Sequence, residues 1–126
     1  MMTENLGEII YSPEKASGEA ITKIESHTPK IEAPEKVKKG ESFKIKISVG
    51  PHPNTVQHSI RWIQVYFSED GRAFNPIHIV SATFEPEYTE PVVELVLKLN
   101  KSGTLYALAY CNLHGLWESK YRIEVE

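Results

Sequence analysis

Phe43-Lys44-Ile45-Lys46-Ile47-Ser48-Val49 alternates apolar and polar residues without a break, and a period of two sustained over such a run is a β-strand with one wet face. Phe43, Ile45, Ile47 and Val49 point one way. Lys44 and Lys46 form the other side, so the basic cluster of Lys36, Lys38, Lys39, Lys44 and Lys46 reads as strand exterior rather than as a phosphate-binding patch. The next run sets Ile60, Trp62, Gln64 and Tyr66 against Ile63, Val65 and Phe67, with Glu69-Asp70-Gly71 as its turn. Residues 77–84, 92–99, 104–111 and 121–125 continue the pattern, and a short strand near Ile31 brings the total to about seven. Prolines at 29, 34, 51, 53, 76, 86 and 91 fall between these runs or at their ends, where a missing ladder donor costs little. The expected fold is all-β: a seven-stranded antiparallel, immunoglobulin-like β-sandwich with an irregular N-terminal segment.

The 126 residues fit one domain with a core large enough to need no staple. Residues 1–26 read as an N-terminal extension that begins an active-site loop, and 27–126 as the sandwich. Within the extension, Pro13-Glu14-Lys15-Ala16 suggests one helical turn. A net charge of −3 disfavours wholesale nucleic-acid binding. No apolar run approaches the roughly 20 residues of a membrane span. The start, Met1-Met2-Thr3-Glu4-Asn5, lacks the character of a secretory leader. With one free thiol, the expected compartment is the reducing cytoplasm.

That thiol, Cys111, lies in Tyr110-Cys111-Asn112-Leu113-His114-Gly115-Leu116-Trp117. A lone cysteine is buried filler, a nucleophile or a metal ligand, and His114 sits at the reach at which a tight turn brings thiolate and imidazole onto one ion. His52 and His58 flank a segment that Pro53 and Asn54 break, leaving a loop able to turn both rings inward. His27 follows Glu25-Ser26. His78 alternates within a strand, has no partner at ligand spacing, and reads as a surface histidine. Five donors overfill a structural zinc site, which closes at four. Blue copper wants a weak axial methionine just after the histidine, but Leu116 and Trp117 follow Gly115 and the two methionines are Met1 and Met2. Four nitrogens and one sulfur suggest a square pyramid with one position open, a thiolate opposite it, and a redox metal such as iron.

Three segments together resemble the superoxide reductases, specifically the single-iron neelaredoxin type related to the iron domain of desulfoferrodoxin. They are Glu25-Ser26-His27-Thr28-Pro29; His52-Pro53-Asn54-Thr55 through His58 to Ile60-Arg61-Trp62-Ile63; and Tyr110 to Glu118. The resemblance covers roughly residues 25–126. It implies one mononuclear non-haem iron per chain, held by His27, His52, His58 and His114 around it and by Cys111 as axial thiolate. It implies reduction of superoxide to hydrogen peroxide at the open position, re-reduction by rubredoxin or a similar donor, and a homotetramer. Glu25 matches the glutamate that can occupy the open position of oxidised iron. A four-cysteine second centre is excluded, because Cys111 is the only cysteine.

One departure falls on the substrate side. The family pattern usually places a lysine between that glutamate and histidine, where it attracts the anion and orders water. Here the position is Ser26, which can hydrogen-bond but brings no charge. Lys23 is the candidate substitute: in an extended stretch it lies on the same side as Glu25 and His27. His58-Ser59 stands where two adjacent histidines are common, and spacing assigns the ligand to His58. Lys101 and Lys120 are candidate donor-docking residues.

Overall fold

The structure is a computed structural model and describes residues 4–126; Met1, Met2 and Thr3, expected to be a polar start, lie outside the described residues. Among the described residues there are eight strands: β1 (Lys30–Glu32), β2 (Lys36–Val37), β3 (Phe43–Ser48), β4 (Ile60–Glu69), β5 (Ile77–Thr83), β6 (Val92–Leu97), β7 (Gly103–Cys111) and β8 (Gly115–Val125). They form two sheets, ordered β1-β3-β6 and β2-β8-β7-β4-β5. The all-β sandwich expected from the alternation is the observed architecture. The additional strand is β2, two residues pairing parallel with the end of β8, too short to show a period. β8 begins at Gly115 rather than near Tyr121, because its first half carries Glu118, Ser119 and Lys120 and only Trp117 as a buried apolar residue.

The core lies between the sheets. Ile45 and Ile47 of β3 and Val93 of β6 face Ile63, Val65 and Phe67 of β4, Leu105, Ala107 and Ala109 of β7, and Ile123 of β8. Lys44 and Lys46 are exposed, as the alternation requires, and Lys46 pairs with Glu32 across the β1–β3 ladder. Ile60 departs from its expected face: a register shift between Ile60 and Trp62 turns it into the core, while Trp62, Gln64 and Tyr66 stay outside. Gly103 is required by close approach, since a Cβ there would lie 2.2 Å from the Ser68 carbonyl oxygen.

The N-terminal segment is more ordered than composition suggested. It contains α1 (Leu6–Ile9), a 3-10 helix (Gly18–Lys23) and α2 (Ile24–His27), while Pro13–Lys15 is only a turn. Tyr11 anchors it by pairing in parallel with Trp117 on the open edge of β8, with its ring stacked on the indole at 4.9 Å. Pro29 ends α2 by forcing Thr28 into an extended conformation, and the chain turns directly into β1. Among the described residues, no helix is long and apolar enough to cross a membrane.

Candidate metal centre

Three chain segments meet at one end of the sandwich. β7 and β8 form a hairpin in which Cys111 pairs with Gly115 across the loop Asn112-Leu113-His114. Gly115 has φ +82°, the left-handed conformation that closes three-residue hairpins and that other residues adopt only with strain. This turn brings His114 Nδ1 within 3.7 Å of Cys111 Sγ, and the His114 backbone N–H donates to the same sulfur at 3.4 Å. The second segment, 52–58, leaves the sheet before β4 and folds back through a Thr55–His58 turn. The third is the C-terminus of α2, which carries His27.

The four imidazoles close into a ring. Centroids are 4.6 Å apart for His27–His52 and His52–His58, and 5.0 Å for His58–His114 and His114–His27. The His27–His58 distance, 6.4 Å, is close to the diagonal of a square on those sides. Adjacent planes are steeply crossed, by 71° to 88°, while the opposed His27 and His58 differ by only 27°. Cys111 is fully buried behind the ring, and its sulfur lies with donor atoms of His27, His52 and His58 in a set spanning no more than 4.8 Å.

The donor chemistry fits a cation. His27 Nδ1 lies 3.0 Å from the Lys23 carbonyl, which only accepts, so Nδ1 carries the proton and Nε2 a lone pair. His52 Nδ1 likewise donates to the Pro53 carbonyl at 2.7 Å, leaving its Nε2 bare. These two bare Nε2 atoms are 3.1 Å apart, with His114 Nδ1 3.2 Å from that of His27. Facing lone pairs at that separation repel unless a positive charge lies among them. His58 Nε2 is buried with no hydrogen-bond partner at all. Carbonyls behind His27 and His52 fix ring orientation, as is usual for metal-bound imidazoles.

Electrostatics favour unprotonated rings at His27, His52 and His58. Burial pushes His27 down to about 4, with the neighbouring imidazoles acting in the same direction against the Lys23 carbonyl. Burial also lowers His52, opposed by its Pro53 bond and aided by the Lys23 charge and by the neighbouring imidazoles, which resist a second proton in the cluster. His58 is lowered by burial, then by His114 and Lys23. Neutral imidazoles are what a metal requires.

The substrate-side residues are arranged differently from expectation. Lys23, Glu25 and His27 do not share a face through an extended period, because this stretch is helical and residues two apart diverge. Lys23 nevertheless approaches the centre, lining a cleft with Tyr11, Glu19, Leu113, His114 and Trp117, and its charge acts on His52 and His58. Ser26 faces backwards: its Oγ lies 2.8 Å from His27 Nδ1 and donates to the Lys23 carbonyl at 3.3 Å, so its hydroxyl supports His27 rather than facing the cluster. Glu25 is exposed beside Thr22 and Pro51 and is not among the clustered donors. His78 is exposed and bonded to Ser81. Lys101 lies beyond the far end of β7, roughly 26 Å of strand away from Cys111, and so stands off the metal end.

Comparison with known proteins matches residues 19–120 to the family described as desulfoferrodoxin. The chain belongs to the desulfoferrodoxin family. Curated members include the superoxide reductase of Pyrococcus furiosus, 43% identical over 116 residues that cover 81% of this chain and 91% of that protein. The neelaredoxin of Megalodesulfovibrio gigas is 35% identical over 82% of this chain and 91% of its own length. Among solved structures, the superoxide reductase (neelaredoxin) of Ignicoccus hospitalis superposes with a TM-score of 0.92 at 60% identity, covering 98% of this chain and 100% of that one. The family members share this all-β fold, and the chain carries a histidine–cysteine cluster able to hold a metal.

Missed by the sequence reading were the second roles of neighbours: the Lys23 and Pro53 carbonyls behind two imidazoles, and the Asn112 side chain discussed below. Backbone acceptors carry no sequence signal. Asn112 does carry one: an asparagine opening a tight loop is a recognisable sign of side-chain-to-backbone bonding.

Proposed function

We propose that this protein is a superoxide reductase, carrying out one-electron reduction of superoxide to hydrogen peroxide at a single non-haem iron. The supporting observation is the closed ring of four imidazoles backed by one buried thiol. His27, His52 and His58 would hold the iron through Nε2, His114 through Nδ1 and Cys111 through its sulfur. Ferrous iron, when bound, would supply the electron that superoxide needs, and imidazole with thiolate is a donor set that iron accepts.

The chain's own groups then have distinct tasks. The His114 N–H holds negative charge on the Cys111 sulfur. The carbonyls of Lys23 and Pro53 keep the His27 and His52 protons on the outer nitrogens. Lys23 draws the anion towards the cleft beside His114 and orders water for its two protonations, taking the part that Ser26 leaves open. Glu25, exposed beside Thr22 and Pro51, would supply a further carboxylate donor to oxidised iron. The four donors of the compact set, with His114 Nδ1 added 3.2 Å from His27 Nε2 and 3.7 Å from the Cys111 sulfur, are more than a closed structural zinc site uses, and a pure electron carrier has no need of the Lys23 cleft.

Each turnover needs an external electron. We assign that role to a rubredoxin-type protein, docking at the metal end rather than at Lys101. The outer face of the large sheet presents Trp62, Tyr66, Tyr106, Leu108 and Tyr110, half-buried, and this face would pair copies of the chain in a homotetramer. A cytoplasmic location follows from a functional thiolate that must stay reduced.

Metal analysis with a visible spectrum tests the assignment. One iron per chain, with a thiolate-to-iron charge-transfer band on oxidation, is the expected result. A zinc-only protein, colourless after oxidation and not reconstituted by ferrous iron, would rule it out.

A further inference from the structure

We infer that Asn112 is a positioning residue that locks His58 to Cys111. The inference rests on the ligand assignment proposed above and concerns what sets the geometry of those two ligands. The ladder between β4 and β7 ends at the pair Ile60–Cys111, distorted by the register shift at Ile60. Beyond it, His58 and the Cys111–His114 loop belong to two separate excursions joined through the backbone by a single long bond, from the Asn112 N–H to the Ser59 carbonyl at 3.4 Å.

The Asn112 carboxamide continues the ladder where the backbone stops. Its Oδ1 accepts from the Ser59 N–H at 2.9 Å, and its Nδ2 donates to the Gln57 carbonyl at 2.9 Å. The Asn112 backbone N–H adds a longer bond, 3.4 Å, to the Ser59 carbonyl. One side chain thus grips the residues immediately before and after His58, from the position immediately after Cys111. The acceptor and donor of a carboxamide match the N–H and C=O they meet, a complementarity that neither a carboxylate nor an aliphatic group reproduces. Ser59 is completely buried, so its N–H has no access to water as an alternative partner.

The other bonds on this loop do a different job. Thr55 and His58 bond each other, and Arg61 Nη2 donates to the Val56 carbonyl at 2.6 Å. These shape the loop internally and fasten it to its own strand. Only the Asn112 bonds cross from the His58 segment to the Cys111 segment among those given by the loop's side chains. His58 Nε2 and the Cys111 sulfur therefore keep their separation through contacts made wholly by protein groups.

Two asparagines separate positioning from ordinary stabilisation. Asn75, at the opposite end of β4, makes a comparable clamp: its Oδ1 accepts from the Glu69 N–H at 3.0 Å and its Nδ2 donates to the Glu69 carbonyl at 2.9 Å. Iron-loaded Asn112→Ala and Asn75→Ala would be compared with the unaltered protein for melting temperature, iron release to a chelator and the position of the thiolate-to-iron band. Both variants should melt lower. Asn112→Ala alone should release iron about 10–100-fold faster and displace the band, the usual scale for an outer-shell partner of a metal ligand. Asn112→Asp, which keeps the Ser59 acceptor and opposes the Gln57 carbonyl, should show a smaller change in the same direction and covers the case in which the alanine variant does not fold. Unchanged release and band in Asn112→Ala or, failing its expression, Asn112→Asp would overturn the inference, as would equal changes in Asn75→Ala. Iron bound to the unaltered protein without such a band would instead defeat the ligand assignment.

Discussion

The sheet-borne and helix-borne halves of this metal centre are built on opposite principles. Cys111, His114 and His58 sit at the ends of long, paired strands and are tied to one another by a hairpin, by the His114–sulfur bond and by the Asn112 side chain. His27 arrives on a four-residue helix that is held to the sandwich by Tyr11 stacking on Trp117 and by Pro29 turning the chain into β1. The first half carries three of the clustered donors at the ends of paired strands; the second carries His27 together with Lys23, which lines the cleft beside His114. The difference teaches that cross-segment hydrogen bonds are concentrated at the strand-borne donors, while Lys23, Glu25 and Ser26 occupy two short helical turns bonded mainly within themselves.

The strongest way to break this division is at the sulfur. Cys111→Ser should abolish the charge-transfer band and lower the superoxide rate constant by at least about 100-fold, since even outer-shell partners of metal ligands are worth about 10–100-fold. Stopped-flow spectroscopy of the iron-loaded variant checks both. A variant retaining the band would remove Cys111 from the ligand set.

The helix-borne half has its own signature in the metal-free protein. His27 is held near 4, below the ordinary histidine value of 6.5, so between those values the unfolded chain binds the proton and the folded chain does not. Stability contributed by the neutral ring is complete above about 6.5 and declines as pH falls towards 4, at most about 1.4 kcal/mol per pH unit. Melts of the metal-free protein should show this slope, and His27→Gln should reduce it, leaving the part contributed by His52 and His58, which burial also lowers. An identical slope in both would place the acid sensitivity elsewhere.

Legibility followed the same division. The strands were readable because Phe43 to Val49 and Ile63 to Phe67 alternate cleanly, and the loop donors because cysteine and histidine at turn spacing have few other uses. Helical residues 18–27 were not readable: Gly-Glu-Ala-Ile-Thr-Lys is too short for a helical period to declare itself, so Lys23 was placed by an alternation that the chain does not adopt. Its approach to the histidines arises through tertiary packing of the segment against Trp117. Ser26 was read as facing the substrate, but its hydroxyl finds the nearer Lys23 carbonyl and His27 nitrogen, a local bond typical of serine in a helical turn.

Smaller effects sharpen the contrast. Lys23→Ala should slow the reaction with superoxide by about 10-fold or less at low ionic strength, and the gap should close as salt screens the field. Pulse radiolysis across a salt series reads it directly, and equal rates at low salt would free Lys23 from any part in the reaction. At the bottom of the scale, His78→Ala should leave iron content unchanged and shift stability by no more than about 0.5 kcal/mol. Loss of iron in that variant would contradict the ligand assignment.

The central claim is that the open face of this centre reduces superoxide without dismutating it. The direct measurement is a product count when the ferrous protein meets superoxide in the presence of an electron donor. A reductase yields one hydrogen peroxide for each superoxide, consumes reductant in step, and releases no oxygen. Oxygen evolution with half as much peroxide and no consumption of reductant would contradict the account.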